Sequence, residues 1–215
     1  AFTYMARLMR FVLELRQAGV TDARALSALE RTPRGHYVPE HLEGLALDDI
    51  GLPLPHAQTM TKPSTVGRVL ATLAPQPGDT ILEIGTGSGF QAAAIADLAH
   101  KVVTLDRWPD IVVDARGRFG RARLMRVFAH CADGFEGWAD DAPYDRIVIN
   151  GALAEIPPAL LEQLKPGGVL VAPLGDAEQQ RLVRYRNGVR EDFGPVKFQP
   201  LERGLGEAPE QVAAH

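Results

Sequence analysis

The sequence predicts an α/β fold: a doubly wound, mainly parallel sheet preceded by an N-terminal helical arm. Three observations carry this expectation. Short apolar runs alternate with helix-patterned segments from Pro63 onward, the order that builds a parallel sheet with helices on both faces. At Ile81 to Gln91 an apolar run passes through three glycines into a series of good helix formers. Ahead of Pro63 the chain is first helix-patterned and then proline-rich.

The elements run in this order. Leu8, Phe11, Val12 and Leu15 have the i, i+3, i+4, i+7 spacing of an amphipathic helix over Met5 to Ala18, and Gly19 stops it. Thr21 or Asp22 can cap a second helix running to Glu30. Between Thr32 and Pro63 stand Pro33, Pro39, Pro53, Pro55 and Pro63, so this stretch is expected to lie as an irregular arm or lid over the α/β domain. Ser64 to Leu73 is a helix behind Pro63. Strands are expected at Ile81–Ile84, Lys101–Leu105, Leu124–Ala129, Arg146–Ile149 and Val169–Ala172, with helices at Gln91–Ala99, Asp110–Phe119 and Pro157–Leu164 between them. Lys165-Pro166-Gly167-Gly168 combines helix-stop and turn signals. Arg181–Arg186 and Val196–Leu201 extend the sheet. The organisation expected is an arm over residues 1–63, one α/β domain over 64–203 and a frayed tail over 204–215. Ala1 to Tyr4 precede the first methionine, Met5, and are expected to be foreign to the natural chain.

Composition narrows the classes. A chain of 215 residues is long enough for one full-sized core. Hydrophobic content of 46% and charged content of 23% are ordinary for a globular enzyme. A net charge of −4 gives a nucleic acid partner no electrostatic support. Cys131 is the single cysteine, so no intramolecular disulfide forms; a reducing, cytoplasmic setting is expected. No apolar run approaches the roughly 20 residues of a membrane span, no secretory signal is evident, and no metal is expected. Nothing demands a partner subunit, so a monomer is expected.

The chemistry is concentrated around Leu82-Glu83-Ile84-Gly85-Thr86-Gly87-Ser88-Gly89-Phe90-Gln91. A strand that enters a helix through a glycine turn brings backbone N–H groups close to a ligand. The spacing is G-x-G-x-G, and Glu83 stands two places before the first glycine. A carboxylate there suits the ammonium of S-adenosylmethionine and would repel the pyrophosphate of a dinucleotide, which weighs against a nicotinamide oxidoreductase. Asp106 ends the second strand, where it can accept both hydroxyl hydrogens of a ribose. Asp133-Gly134 follows the third strand, where the acid can accept from an adenine amino group and the glycine lets backbone approach the ring. Upstream, Gln58-Thr59-Met60-Thr61-Lys62-Pro63 places an amide and hydroxyls just before a helix. Thr61 is a candidate N-cap for that helix. His56, between prolines, reads as a surface or packing residue.

With both clusters in view, the chain resembles the protein-L-isoaspartate (D-aspartate) O-methyltransferase family from about Met5 to Leu201. The resemblance is carried by Ala46-x-x-Asp49-x-x-Leu52-Pro53-Leu54, Gln58-Thr59-Met60-Thr61-x-Pro63, the glycine turn, Asp133-Gly134, Ala142-Pro143-Tyr144-Asp145-Arg146-Ile147, and Gln163 to Gly175 with Gln180 just after. It implies a Rossmann-like, class I S-adenosylmethionine-dependent methyltransferase that repairs aged proteins by methylating isoaspartyl carboxylates, with S-adenosyl-L-homocysteine as product. It implies a catalytic hydroxyl at Thr61 and cofactor contacts at Gln58, Thr59, Glu83, Gly85, Thr86, Gly87, Ser88, Asp106, Arg107, Asp133, Gly134 and Gln180. The chain departs from the family pattern at Thr61 (usually serine), Lys62 (glutamine or a small residue), Ala57 (often glycine), Asp106 (usually glutamate) and Asn150-Gly151-Ala152. Two other readings stay open: a relative with another carboxylate or small-molecule acceptor, and a cofactor-binding protein without turnover.

Overall fold

The computed structural model describes residues 3–207. Helices α1 (Tyr4–Gln17) and α2 (Ala23–Arg31) both start on side-chain caps, with Thr3 accepting the Ala6 N–H and Asp22 the Ala25 N–H. The proline-rich stretch forms two 3-10 turns, Arg34–Tyr37 and Glu40–Leu45, and a short antiparallel ribbon of β1 (Leu52–Pro53) and β2 (Thr59–Met60). Prolines and glycines leave its loops without long ladders, and a buried side chain replaces them. Arg34 is 1% exposed and donates to the carbonyls of Ala46, Asp48 and Ile50 at 3.1, 3.2 and 2.9 Å. Burial of that charge pushes its pKa down to about 10.

Helix α3 (Pro63–Leu73) leads into the alternating part: β3 (Thr80–Ile84), α4 (Phe90–Ala96), β4 (Lys101–Asp106), α5 (Pro109–Arg121), β5 (Val127–Cys131), β6 (Tyr144–Ile149), α6 (Pro158–Glu162), β7 (Leu164–Gly175), β8 (Gln180–Arg186) and β9 (Val189–Val196). The sheet order is β5-β4-β3-β6-β7-β8-β9. The first five strands in that order are parallel, and β8 and β9 are antiparallel additions. The order reverses beside β3, whose neighbours are β4 and β6, so ligand space opens beyond its carboxyl end.

Alternation along the strands builds two cores. Ile81, Val102, Val148 and Val171 join α1 to α5 on one face, while Leu82, Val103, Ile147 and Leu170 pack with α6 on the other. The arm therefore shares a core with the helices of the sheet domain.

Four expectations needed correction. The third strand is Val127–Cys131 instead of Leu124–Ala129, because the Leu124 N–H still donates to the Phe119 carbonyl in the turn that ends α5. The last strand is Val189–Val196 instead of Val196–Leu201, because Asn187 (φ 49°) and Gly188 (φ 78°) close a two-residue hairpin with β8. Lys165–Gly168 form a bulge inside β7, where the pairing to β6 jumps from Leu164 to Val169, so the strand begins before the glycines. The segment from Gly204 is docked: the Gly204 N–H donates to Asp133 Oδ2 and the Gly206 N–H to the Arg107 carbonyl, both at 2.8 Å. Residues 208–215 of the expected frayed tail lie outside the described residues.

Candidate active site

A cavity of about 600 Å³ opens at the carboxyl ends of β3 and β4, a size suited to a nucleoside-containing ligand. Its floor is the glycine turn. Gly85 (φ 94°) and Gly87 (φ 52°) have left-handed backbone, which lets the chain double back within two residues. Asp106 fastens this turn from the next strand, Oδ2 accepting the Gly87 N–H at 3.0 Å and Oδ1 the Trp108 N–H at 3.2 Å. Burial raises the Asp106 pKa from its ordinary value, and the backbone donors oppose that shift. Each oxygen keeps a lone pair for a ligand hydroxyl. On the far wall, Gly134 abuts β3 so closely that a Cβ there would collide with the Ile84 side chain.

Behind the floor runs a buried polar chain. Glu83 is 0% exposed, and its Oε1 accepts the Thr104 hydroxyl at 2.7 Å while Oε2 accepts Gln91 Nε2 at 3.1 Å. Thr104 shares a 2.7 Å hydrogen bond with Thr86. Gln91 also donates to Asn150 Oδ1 at 2.8 Å, and Asn150 Nδ2 donates to the Gly85 carbonyl at 3.0 Å. Burial raises the Glu83 pKa to about 7, with its hydrogen-bond donors opposing the shift.

The ribbon of the arm crosses the other side of the cavity as a strap. The Leu54 side chain reaches over Gly87. Gln199 brackets the strap, its Oε1 accepting the Thr59 N–H at 3.1 Å and its Nε2 donating to the Ala57 carbonyl at 2.8 Å. At the tip, the His56 ring stacks on Trp108 at 3.8 Å and 3°, and its Nε2 lies 2.9 and 2.8 Å from the Asp110 carboxylate oxygens. His56 and Ala57 both have left-handed backbone (φ 60° and 54°), which accounts for the tightness of the tip.

Thr61 lies between the strap and α3. It is not the cap of that helix: the N-cap position is Lys62, no side chain caps it locally, and Asp49 Oδ1 accepts the Ser64 N–H at 2.8 Å. The Thr61 hydroxyl is thus free of the structural duty that its sequence position suggested.

The fold brings most of the expected site residues to one cavity. Gln58, Thr59, Thr61, Gly85, Thr86, Gly87, Ser88, Asp106, Arg107 and Gly134 all line it. Glu83, Asp133 and Gln180 do not. Glu83 has the parity of Ile81 on β3 and so projects beneath α4. Asp133 accepts one backbone N–H on each oxygen, from Phe135 and Gly204, at 2.9 and 2.8 Å. Gln180 is 4% exposed and exchanges two hydrogen bonds with the Phe198 backbone, at 2.9 and 2.7 Å. It thereby fixes Phe198, which does line the cavity. Sequence reasoning missed Trp108, Ile111, Ala132, Lys197 and Phe198 as lining residues. Trp108 and Ala132 were within reach, since each lies just past a strand end; Lys197 and Phe198 arrive from beyond the sheet and carry no local signal. Among the described residues, no cluster of three or more His, Cys, Asp or Glu is placed to hold a metal ion, and no helix is long and apolar enough to cross a membrane.

Residues 6–202 match the family model described as protein-L-isoaspartate(D-aspartate) O-methyltransferase (PCMT). The chain belongs to this family. A protein-L-isoaspartate O-methyltransferase of Paracoccus denitrificans (strain Pd 1222) is 43% identical over 206 residues, 94% of this chain and 95% of the relative. Among solved structures, a protein-L-isoaspartate O-methyltransferase superposes with a TM-score of 0.80 at 22% identity, over 93% of this chain and 67% of the other. A putative Plasmodium falciparum enzyme of the same name, in complex with S-adenosyl-L-homocysteine, gives 0.76 at 19% identity, over 90% and 97%. These two likenesses speak for the fold. Within this member of the isoaspartate methyltransferase family, four of the departures from the usual pattern, Thr61, Lys62, Asp106 and Asn150, stand on the cavity wall.

Proposed function

We propose that this chain is an S-adenosyl-L-methionine-dependent methyltransferase that esterifies the carboxylate of L-isoaspartyl (and D-aspartyl) residues in damaged proteins. The observation that carries the reading is the Thr61 hydroxyl, released from helix capping, on the same cavity as the glycine turn and Asp106. Membership of the family and the Paracoccus relative support the same reaction.

The residues present fit the donor. Asp106 offers carboxylate oxygens to a ribose. Trp108, Ile111, Ala132 and Gly134 offer apolar walls and close backbone to an adenine. Gly85 to Ser88 offer the turn to the amino acid end, with Glu83 behind them as an acid one layer removed. When bound, this donor supplies an electrophilic methyl group on a sulfonium.

The acceptor carboxylate is already ionised at neutral pH, so no general base is needed. The work left to the protein is positioning and desolvation. Thr61 donates a hydrogen bond to one carboxylate oxygen and so directs the other. A neutral hydroxyl orients without quenching the nucleophile, as a buried ammonium would. Met60, Leu54 and Phe198 furnish apolar wall that thins the water around the reacting pair. A reducing, cytoplasmic setting accords with the lone Cys131.

The test is methyl transfer from labelled donor to an isoaspartyl peptide and to its aspartyl twin. Label in the first alone is expected. Label in neither, with another carboxylate accepting it, would assign the chain a different acceptor.

A further inference from the structure

The chain has four lysines, Lys62, Lys101, Lys165 and Lys197. Lys101 is ion-paired with Asp141 and Lys165 with Asp145, away from the cavity. Lys62 and Lys197 are exposed, have no ion-pair or hydrogen-bond partner among the described residues, and both line the cavity. They come from opposite ends of the fold. Lys62 stands between Thr61 and the first turn of α3, which Asp49 secures. Lys197 follows β9 and precedes Phe198, which Gln180 holds by two hydrogen bonds. Both ammonium groups thus spring from anchored backbone.

No acid on the cavity wall neutralises them. The two lining acids are Asp106, engaged with the Gly87 and Trp108 N–H groups, and Glu202, paired with Arg107. In a chain of net charge −4, two unpaired cations on the cavity that Thr61 also lines make a local exception to a surface that otherwise disfavours acidic peptides. The nucleophilic carboxylate itself is a poor partner for them, since an ammonium held on it would lower its reactivity. A second carboxylate nearby in the acceptor has no such conflict. Lysine suits that task, because a flexible point charge follows a carboxylate whose position varies from one damaged protein to the next.

We propose that Lys62 and Lys197 are specificity residues that select isoaspartyl sites flanked by acidic side chains. The proposal rests on the isoaspartate reading above. The cations act at the rim, on capture of the acceptor, and leave the methyl-transfer step to Thr61 and the donor. Their effect belongs in KM and weakens with salt.

The experiment uses three isoaspartyl peptides, identical except for Glu, Gln or Lys on either side of the isoaspartyl residue, with the full chain and its Lys62→Met, Lys197→Met and double variants. In the parent, kcat/KM is expected to fall in the order Glu, Gln, Lys, with about tenfold between the ends, carried by KM. Each single substitution narrows the span to about threefold and the double removes it, as does ~0.5 M salt. Lys62→Arg and Lys197→Arg, which keep the charge, retain the order. Equal kcat/KM for the three peptides in the parent, or an unchanged span in the double variant, overturns the proposal and leaves isoaspartate methylation standing. Failure of all three peptides to accept a methyl group overturns the isoaspartate reading and this proposal together.

Discussion

Asp106 accepts the backbone N–H of Gly87 at 3.0 Å, so the acid that ends β4 also sets the shape of the glycine turn after β3. On the function proposed above, one carboxylate would serve both the ribose and the turn. Asp106→Ala is expected to weaken donor binding by about 2 kcal/mol, roughly thirtyfold in Kd, from loss of charge-assisted hydrogen bonds and a slackened turn. Turnover at saturating donor falls far less. Calorimetric titration beside steady-state kinetics checks both, and Asp106→Asn, which can still accept the Gly87 N–H, loses less affinity than Asp106→Ala.

Thr61→Ala is expected to lower kcat by about 10- to 100-fold through loss of one orienting donor. Donor affinity and melting temperature stay near the parent values, because Thr61 caps no helix. Thr61→Ser keeps most of the rate. Kinetics that do not change in Thr61→Ala remove this residue from the mechanism.

Glu83 gives a pH dependence with a definite sign. Its proton is held up to about pH 7 in the fold, against 4.5 for the ordinary side chain. Between those values the native state binds more protons than the unfolded state, so this group's contribution to stability falls as pH rises from about 4.5 to 7 and is flat above. The loss amounts to roughly 3 kcal/mol. Glu83→Gln removes that slope, and denaturant titrations of parent and variant at pH 5 and pH 8 measure the difference. A cationic donor above the turn favours the ionised form, so donor affinity in the parent rises through the same window and in Glu83→Gln does not.

His56 holds the strap to Trp108 and Asp110. His56→Ala loses a stacked ring and a partly exposed polar contact, worth about 1 kcal/mol together. The strap opens more readily, and donor dissociation accelerates by about fivefold. Stopped-flow fluorescence reads this directly, since Trp108 lies under the ring.

The parts of the site that were legible in the sequence are those in which local chemistry and location coincide. The glycines, Asp106 and Thr61 sit at strand or helix ends and reach the cavity by the shortest path. Glu83 was legible as an important acid and misleading as a wall residue; its strand parity with Ile81 turns it under α4, where Gln91 and Thr104 hold it. Asp133 and Gln180 are drawn into bracing Gly204 and Phe198, contacts across long sequence separations that no local pattern announces. Among the elements, β3 and β4 stood out because both their faces are buried. The β8–β9 hairpin carries a clear turn signal in Asn187-Gly188, but β9 is mostly exposed, with little apolar periodicity to mark it as a strand.

The most direct measurement of the central claim follows an isoaspartyl peptide through incubation with the protein and S-adenosyl-L-methionine, by mass spectrometry and chromatography. The account predicts a methyl ester on the isoaspartyl carboxylate, then loss of methanol to a succinimide, then accumulation of the aspartyl form, with none of these from the aspartyl twin. Donor binding with no ester on the isoaspartyl peptide, or equal esterification of both twins, contradicts it.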